Sequence, residues 1–274
     1  MALILKSVEA SRGPRWIGEA FRLYARRPMG FTALFALYLF GAMLAAQVPL
    51  LGAVVQMTSL PLLSLGIMVA GQSALLGGPV HPRQFIEPLR GSGPRRRALL
   101  TLCGLYGVLA IATLLLADTV SNHAWERLQA LLAKGEGAQL EIDALLSEPG
   151  VGAGCLLALV LGSSLAVPFW HAPALIHWGG QGVRQALFSS SLALWRSKAA
   201  FFSYMMAWVG VLLTFGLVTA VVFGLLGAPQ LAGLIGIPAG LVFTTVFYIS
   251  VLFTFTDSFG GAPTIEPAPR TAAG

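Results

Sequence analysis

From residue 28 to residue 82 the chain carries no Asp, Glu, Lys or Arg. A soluble amphipathic helix keeps charged and polar residues on its outer face. This stretch instead offers Phe31-Thr-Ala-Leu-Phe-Ala-Leu-Tyr-Leu-Phe40, a Pro49-Leu-Leu-Gly52 break, and an apolar run from Ala53 to Leu76. A bilayer core about 30 Å thick takes roughly 20 residues of helix. The stretch is long enough for two crossings, and the rest of the sequence reads as two further hairpins of the same kind.

The whole chain agrees with its first hairpin. Charged residues make up 10% of it, against about 25% in a typical globular domain, and mean hydropathy is +0.79. The net charge of +6 does not indicate nucleic acid, because the basic residues flank apolar runs instead of lining one face. The charged segment ahead of the first span is too long for a signal peptide, and no lipid-anchor motif is expected.

Taken in order, residues 1–11 read as loosely ordered. Gly13-Pro14 opens an amphipathic helix with Trp16, Ile17, Ala20, Phe21 and Tyr24 on one side and Arg15, Glu19, Arg22 and Arg26 on the other. Such a helix is expected to lie in the headgroup plane. Spans follow at about 29–48, 53–76, 98–117, 151–176, 199–226 and 234–255, with Pro61, Pro168, Pro173 and Pro238 inside them. A second amphipathic piece covers Val183 to Trp195. Between the third and fourth spans the segment 118–149 is polar and acidic, with short helices either side of Gly135-Glu-Gly137.

The predicted fold is therefore all-α: a polytopic membrane protein with six transmembrane helices as three parallel hairpins and short interfacial amphipathic helices. It is one domain, 1–259, with hairpins at about 13–78, 83–180 and 184–259 and a disordered tail at 260–274. Each hairpin repeats one plan: a basic segment, a span, a Pro/Gly turn, a Pro-containing span and a Gly-Gly pair. Arg83-Gln84 with Arg95 and Arg97 returns as Arg184-Gln185 with Arg196 and Lys198 at a constant offset. Mitochondrial carriers also have three hairpins, but their Pro, acid, base signature is missing.

Charge orients the chain. Lys and Arg number six before the first span, five after the second, three after the fourth and one in the tail, against two after the third. The positive-inside rule then places both termini and the Arg-rich loops on the cytoplasmic side. Cys103 and Cys155 fall at opposite depths, roughly 20 Å apart along the bundle, and are expected to remain unpaired fillers.

No Asp, Glu, Lys or Arg lies mid-span, which argues against a carboxylate-driven pump and an aspartyl intramembrane protease. The densest polar site is the broken fourth span, where Ser164, Trp170, His171 and His177 form a candidate ligand site. The plainer reading there is a kinked span end anchored by His and Trp. The His171–His177 spacing does not suit a zinc-binding helix face, so no metal or cofactor is expected. Arg83, Arg95, Arg96, Arg97, Arg184, Arg196 and Lys198 are candidate contacts for anionic lipid headgroups. They serve equally well as an orientation signal alone. The segment 118–149 either docks a protein partner or rests on the headgroups. Gln47, Gln56 and Gln72 are expected to bridge helices, and Gly150, Gly154, Gly236 and Gly240 offer small packing faces.

Gly13-x-x-Trp16 with Phe21 and Arg27-Pro28, the Pro49-Leu-Leu-Gly52 turn, Phe169-x-x-Ala172-Pro173-Ala-Leu175, and Ala186-Leu-x-Ser-Ser190 before Arg196 together resemble an uncharacterised family of proteobacterial inner-membrane proteins. That family is distantly similar to the membrane-embedded domains of some bacterial glycerophosphodiester phosphodiesterases. The catalytic domain of those enzymes has no counterpart here, so the resemblance implies a fold and a location without an activity. The functional expectation is a non-enzymatic envelope protein that organises lipids or partner proteins. The alternative is a solute or lipid transporter working at the fourth span.

Overall fold

The computed structural model describes residues 3–48, 51–134, 139–228 and 230–260. Among them there are helices and connecting turns but no strand. In chain order the helices are α1 (Arg12–Arg26), α2 (Pro28–Ala46), α3 (Leu51–Leu75), α4 (Arg83–Ile86), α5 (Gly93–Val120), α6 (Ala124–Lys134), α7 (Gln139–Leu146), α8 (Pro149–Phe169), α9 (Ala172–His177), α10 (Val183–Arg196), α11 (Lys198–Leu225) and α12 (Gln230–Phe259). A 3-10 turn, Glu87–Arg90, joins α4 to α5. Six segments are long and apolar enough to cross a membrane: α2, α3, α5, α8 with α9, α11, and α12 from Gly233. The expected turns at Pro49, Pro229 and Gly135–Gly137 and the tail from Gly261 lie outside the described residues.

Pro61 and Pro238 sit inside unbroken α3 and α12. α5 runs past both ends of its apolar stretch. Pro94 near its start suits a first helical turn, so Arg95, Arg96 and Arg97 are helical. Hydropathy stops at charges; backbone hydrogen bonding does not.

The described core lies toward the end of the bundle that carries these arginines, called here the basic end. There α3 buries Leu63 to Ala74, α11 buries Ala200, Phe201, Tyr204 and Trp208, and α12 buries Val246 to Phe259 in alternation with half-buried neighbours. Toward the other end α11 and α12 expose Leu213, Leu217, Leu225, Leu234 and Ile237. In a polytopic protein such faces meet lipid.

Each short basic-end helix packs on a hairpin other than the one it precedes. α1 lies on α11 and α12, α4 on α3, and α10 on α8 and α9. The residues Gly77, Gly180 and Gly260, which follow α3, α9 and α12, all have a left-handed backbone with φ of 81°, 64° and 83°. That conformation closes a helix readily only at glycine.

The placement of α1 corrects the expectation that its apolar face lies among headgroups. Trp16 is fully buried, its ring 5.4 Å from that of Phe201 and 5.8 Å from that of Tyr204. Its indole N–H donates to Asp257 Oδ2 at 2.7 Å, and Arg12 Nε donates to the same oxygen at 2.6 Å. Arg12 also pairs with Glu19 at 3.0 Å. The hydrogen bond to Asp257 pushes the Arg12 guanidinium above its ordinary value. A tryptophan buried on protein needs an acceptor for its N–H, and Asp257 at the end of α12 supplies it. Helix approach is close: a Cβ on Gly13 would stand 2.5 Å from the Ala200 carbonyl oxygen.

The N-terminal segment is also tied down, contrary to expectation. Lys6 N–H donates to the Ser258 carbonyl at 2.8 Å, Val8 N–H to Ser197 Oγ at 3.1 Å, and Ser203 Oγ to the Ala10 carbonyl at 2.5 Å. These bonds run across the ends of α11 and α12 and fix a segment that composition alone marks as loose.

At the opposite, acidic end, Asn122 and His123 turn the chain off α5 with φ of 52° and 56°. Left-handed residues other than glycine are uncommon, with Asn and His among the more tolerant types. Arg127 on α6 forks onto both oxygens of Glu148, the residue preceding α8, one contact being 2.9 Å. This bond holds the Glu148 carboxyl below its ordinary range.

Replacing Asp257 by Ala leaves a buried indole N–H without an acceptor and should cost about 1–3 kcal/mol. Glu19→Ala removes a more superficial pair and should cost less than about 1 kcal/mol. Thermal unfolding in detergent micelles separates the two.

Candidate functional site

The break in the fourth crossing is built from three side chains on three helices. Pro168 and Pro173 lack N–H groups, and α8 stops at Phe169 before α9 begins at Ala172. In an unbroken helix the N–H of residue 171 bonds to the carbonyl of residue 167. Here Ser190 of α10 stands between them. Its hydroxyl donates to the Val167 carbonyl at 3.0 Å and accepts the His171 N–H at 3.0 Å. One serine restores both ends of a missing helical bond.

Thr254 of α12 receives the two rings. Trp170 Nε1 donates to Thr254 Oγ1 at 3.1 Å, and His171 Nε2 lies 3.0 Å from the same oxygen. The Thr254 hydroxyl donates to the Val251 carbonyl at 2.8 Å. With that proton committed, Thr254 accepts from both rings, which assigns the His171 hydrogen to Nε2. His171 is fully buried, and the rings of Phe201, Phe255 and Phe259 surround it at 5.5–6.0 Å.

Of the four residues predicted to share a site, Trp170 and His171 therefore meet, and they meet on Thr254. Ser164 is exposed and donates to the Val160 carbonyl of its own helix at 2.8 Å. His177 stands at the far end of α9 against Trp178. Sequence reasoning missed Ser190 and Thr254. Ser190 closes the Ala186-to-Ser190 motif and is buried, a signal visible in the pattern though not in its meaning.

His177 joins a different group. The Arg95 guanidinium lies 3.9 Å from where a Cβ on Gly180 would stand, close enough to His177 for the two to interact electrostatically. Gln181 follows Gly180 directly. Arg95 Nε, His177 Nδ1 and Gln181 Oε1 are each buried without a hydrogen-bond partner among the described residues. Native structures seldom leave such atoms unpaired. Three at one corner of the basic end mark a place suited to an external polar group.

The remaining candidates, Arg83, Arg96, Arg97, Arg184, Arg196 and Lys198, are exposed. None forms an ion pair with a carboxylate among the described residues. Lys198 Nζ sits 5.2 Å over the Trp195 ring, and Trp195 is itself 72% exposed. A cation beside an open indole is the arrangement found at membrane surfaces.

Of the glutamines, Gln56 bridges α3 to the Ala42 carbonyl of α2 at 2.9 Å, whereas Gln47 bonds within its own helix. Gly154 meets α5 closely, a Cβ there standing 2.7 Å from the Ala117 carbonyl oxygen, but among the described residues no atom lies within 4 Å of a Cβ at Gly236 or Gly240.

Six apolar crossings with short helices gathered at a basic end define a multi-pass helical membrane protein. The chain is 33% identical over 264 residues to a probable inner membrane protein of Burkholderia thailandensis, covering 94% of this chain and 96% of that one. It belongs to the same family and is a multi-pass inner-membrane protein. No family model matches the chain, and no solved structure matches it.

Ser190→Ala should destabilise the protein by about 1–3 kcal/mol, because it strands a buried N–H and a carbonyl together. Ser164→Ala should fall within about 0.5 kcal/mol of wild type. Denaturation of the two variants side by side checks the assignment.

Proposed function

We propose that this protein is a non-enzymatic organiser of anionic phospholipid, acting from a basic end that faces the cytoplasm. The observation that carries the reading is the corner where Arg95 approaches His177 and Gly180, with Arg95 Nε and His177 Nδ1 both buried without a hydrogen-bond partner among the described residues and Gln181 next in the chain. A headgroup phosphate supplies acceptors for Arg95 and for an N–H on His177, and the Gln181 amide can turn its Nε2 toward it. Around this corner the exposed arginines and Lys198 provide a field worth about 1 kcal/mol per basic residue near the surface. The distribution of Lys and Arg among the loops supports the orientation.

The transporter alternative finds less support. Trp170 and His171 commit their N–H groups to Thr254, and Ser164 bonds to its own helix. The likeness to the membrane-embedded domains of glycerophosphodiester phosphodiesterases extends the family reading and agrees with a lipid-facing role.

Two measurements test the proposal. Native mass spectrometry of protein released from nanodiscs should show phosphatidylglycerol retained over phosphatidylcholine, with retention falling about fivefold in Arg95→Gln and less in Arg96→Gln, as expected for loss of a charge-assisted contact. Retention that ignores anionic content overturns the lipid role. For orientation, Arg96→Cys in a chain with Cys103 and Cys155 replaced by Ser should resist an impermeant maleimide added outside the cell, whereas Glu126→Cys should react.

A further inference from the structure

At the acidic end, α3, α5 and α8 diverge and leave a cavity of about 820 Å³ roofed by α6 and α7. Gln56, Leu115, Trp125, Leu145 and Cys155 line it, and its walls are overwhelmingly apolar. Its size falls within the roughly 300–1,000 Å³ of small-molecule sites. One strong acceptor points the other way in character. Asp118 lines the cavity, giving one oxygen to His123 Nδ1 at 2.7 Å. Its other oxygen, Oδ1, is buried and has no hydrogen-bond partner among the described residues. Glu126 adds a second acid to the lining. The basic residue nearest in sequence, Arg127, is taken up by Glu148.

We infer that this cavity binds a single-chain cationic amphiphile, with its alkyl chain between α3, α5 and α8 and its ammonium head on Asp118. The apolar walls accept the chain through burial of its methylenes. The Asp118 and Glu126 carboxyl groups in the lining attract the head electrostatically in a low-dielectric setting. A neutral amphiphile would gain nothing from these two acids, and an anionic one would be repelled by them. The inference is independent of the lipid role at the basic end, because it uses other residues at the opposite end of the bundle.

The test uses full-length protein in nanodiscs and a dansyl-labelled alkyl ammonium probe. Binding should be saturable, should weaken about tenfold in Asp118→Asn, equivalent to about 1.4 kcal/mol, and should be lost when Ala158→Phe fills the cavity. An uncharged alkyl alcohol of equal length should compete poorly. Cys155 lies in the wall and supplies a second readout on the unaltered chain: unlabelled alkyl ammonium should slow its alkylation by maleimide while leaving Cys103 unaffected. Equal competition by the alcohol, unchanged affinity in Asp118→Asn, or unprotected Cys155 each overturns the inference. Loss of phosphatidylglycerol retention in Arg95→Gln bears only on the other end.

Discussion

In hydrocarbon no water is available to satisfy a backbone N–H or carbonyl, so each crossing must pair its own groups or borrow a partner. Most of this chain obeys by helix alone. The fourth crossing does not, because two prolines five residues apart prevent a continuous ladder through Trp170 and His171. The Ser190 hydroxyl restores that ladder from α10, and this fixes α10 against α8 and α9. With the break secured, Trp170 and His171 can both point at Thr254 and lock α12 to the same place. The ring contacts of Phe201, Phe255 and Phe259 then follow from a histidine that has nowhere else to go.

The same economy governs the first helix. Trp16 brings an apolar bulk and one N–H to the groove between α11 and α12, and Asp257 answers that N–H while also holding Arg12. The basic end thus combines tight packing with a polar cluster, Arg12, Trp16 and Asp257, whose members satisfy one another. The acidic end differs: it is apolar within and roofed by α6 and α7, with the Arg127–Glu148 fork tying α6 to the start of α8. The two ends do different physical work on one bundle.

Much of the fold was legible because lipid imposes a plain rule on sequence. Uncharged runs from 28 to 82 and their later counterparts give all six crossings. The errors came where charge and helix part company, as at Gly93–Val120, and where an amphipathic face meets protein in place of headgroups, as at Trp16. Hydropathy measures how apolar a face is and carries no information about what covers it. The candidate site was legible only in part. Prolines announced the break, but the partners that repair it, Ser190 and Thr254, sit on helices remote in sequence. The adjacency of Arg95 and His177 depends on how α5 meets α9, which no local pattern encodes.

The crossed docking of the short helices bears on how the molecule is made. α1 emerges from the ribosome well before its partners α11 and α12. Until then Trp16 and Arg12 have no Asp257 to meet, and the segment ahead of α1 has no Ser197 or Ser258. Membrane insertion can proceed hairpin by hairpin, but closure of the bundle waits for the final helix. A truncated product therefore keeps an unsatisfied leading helix, which gives a quality-control protease a ready mark of incompleteness.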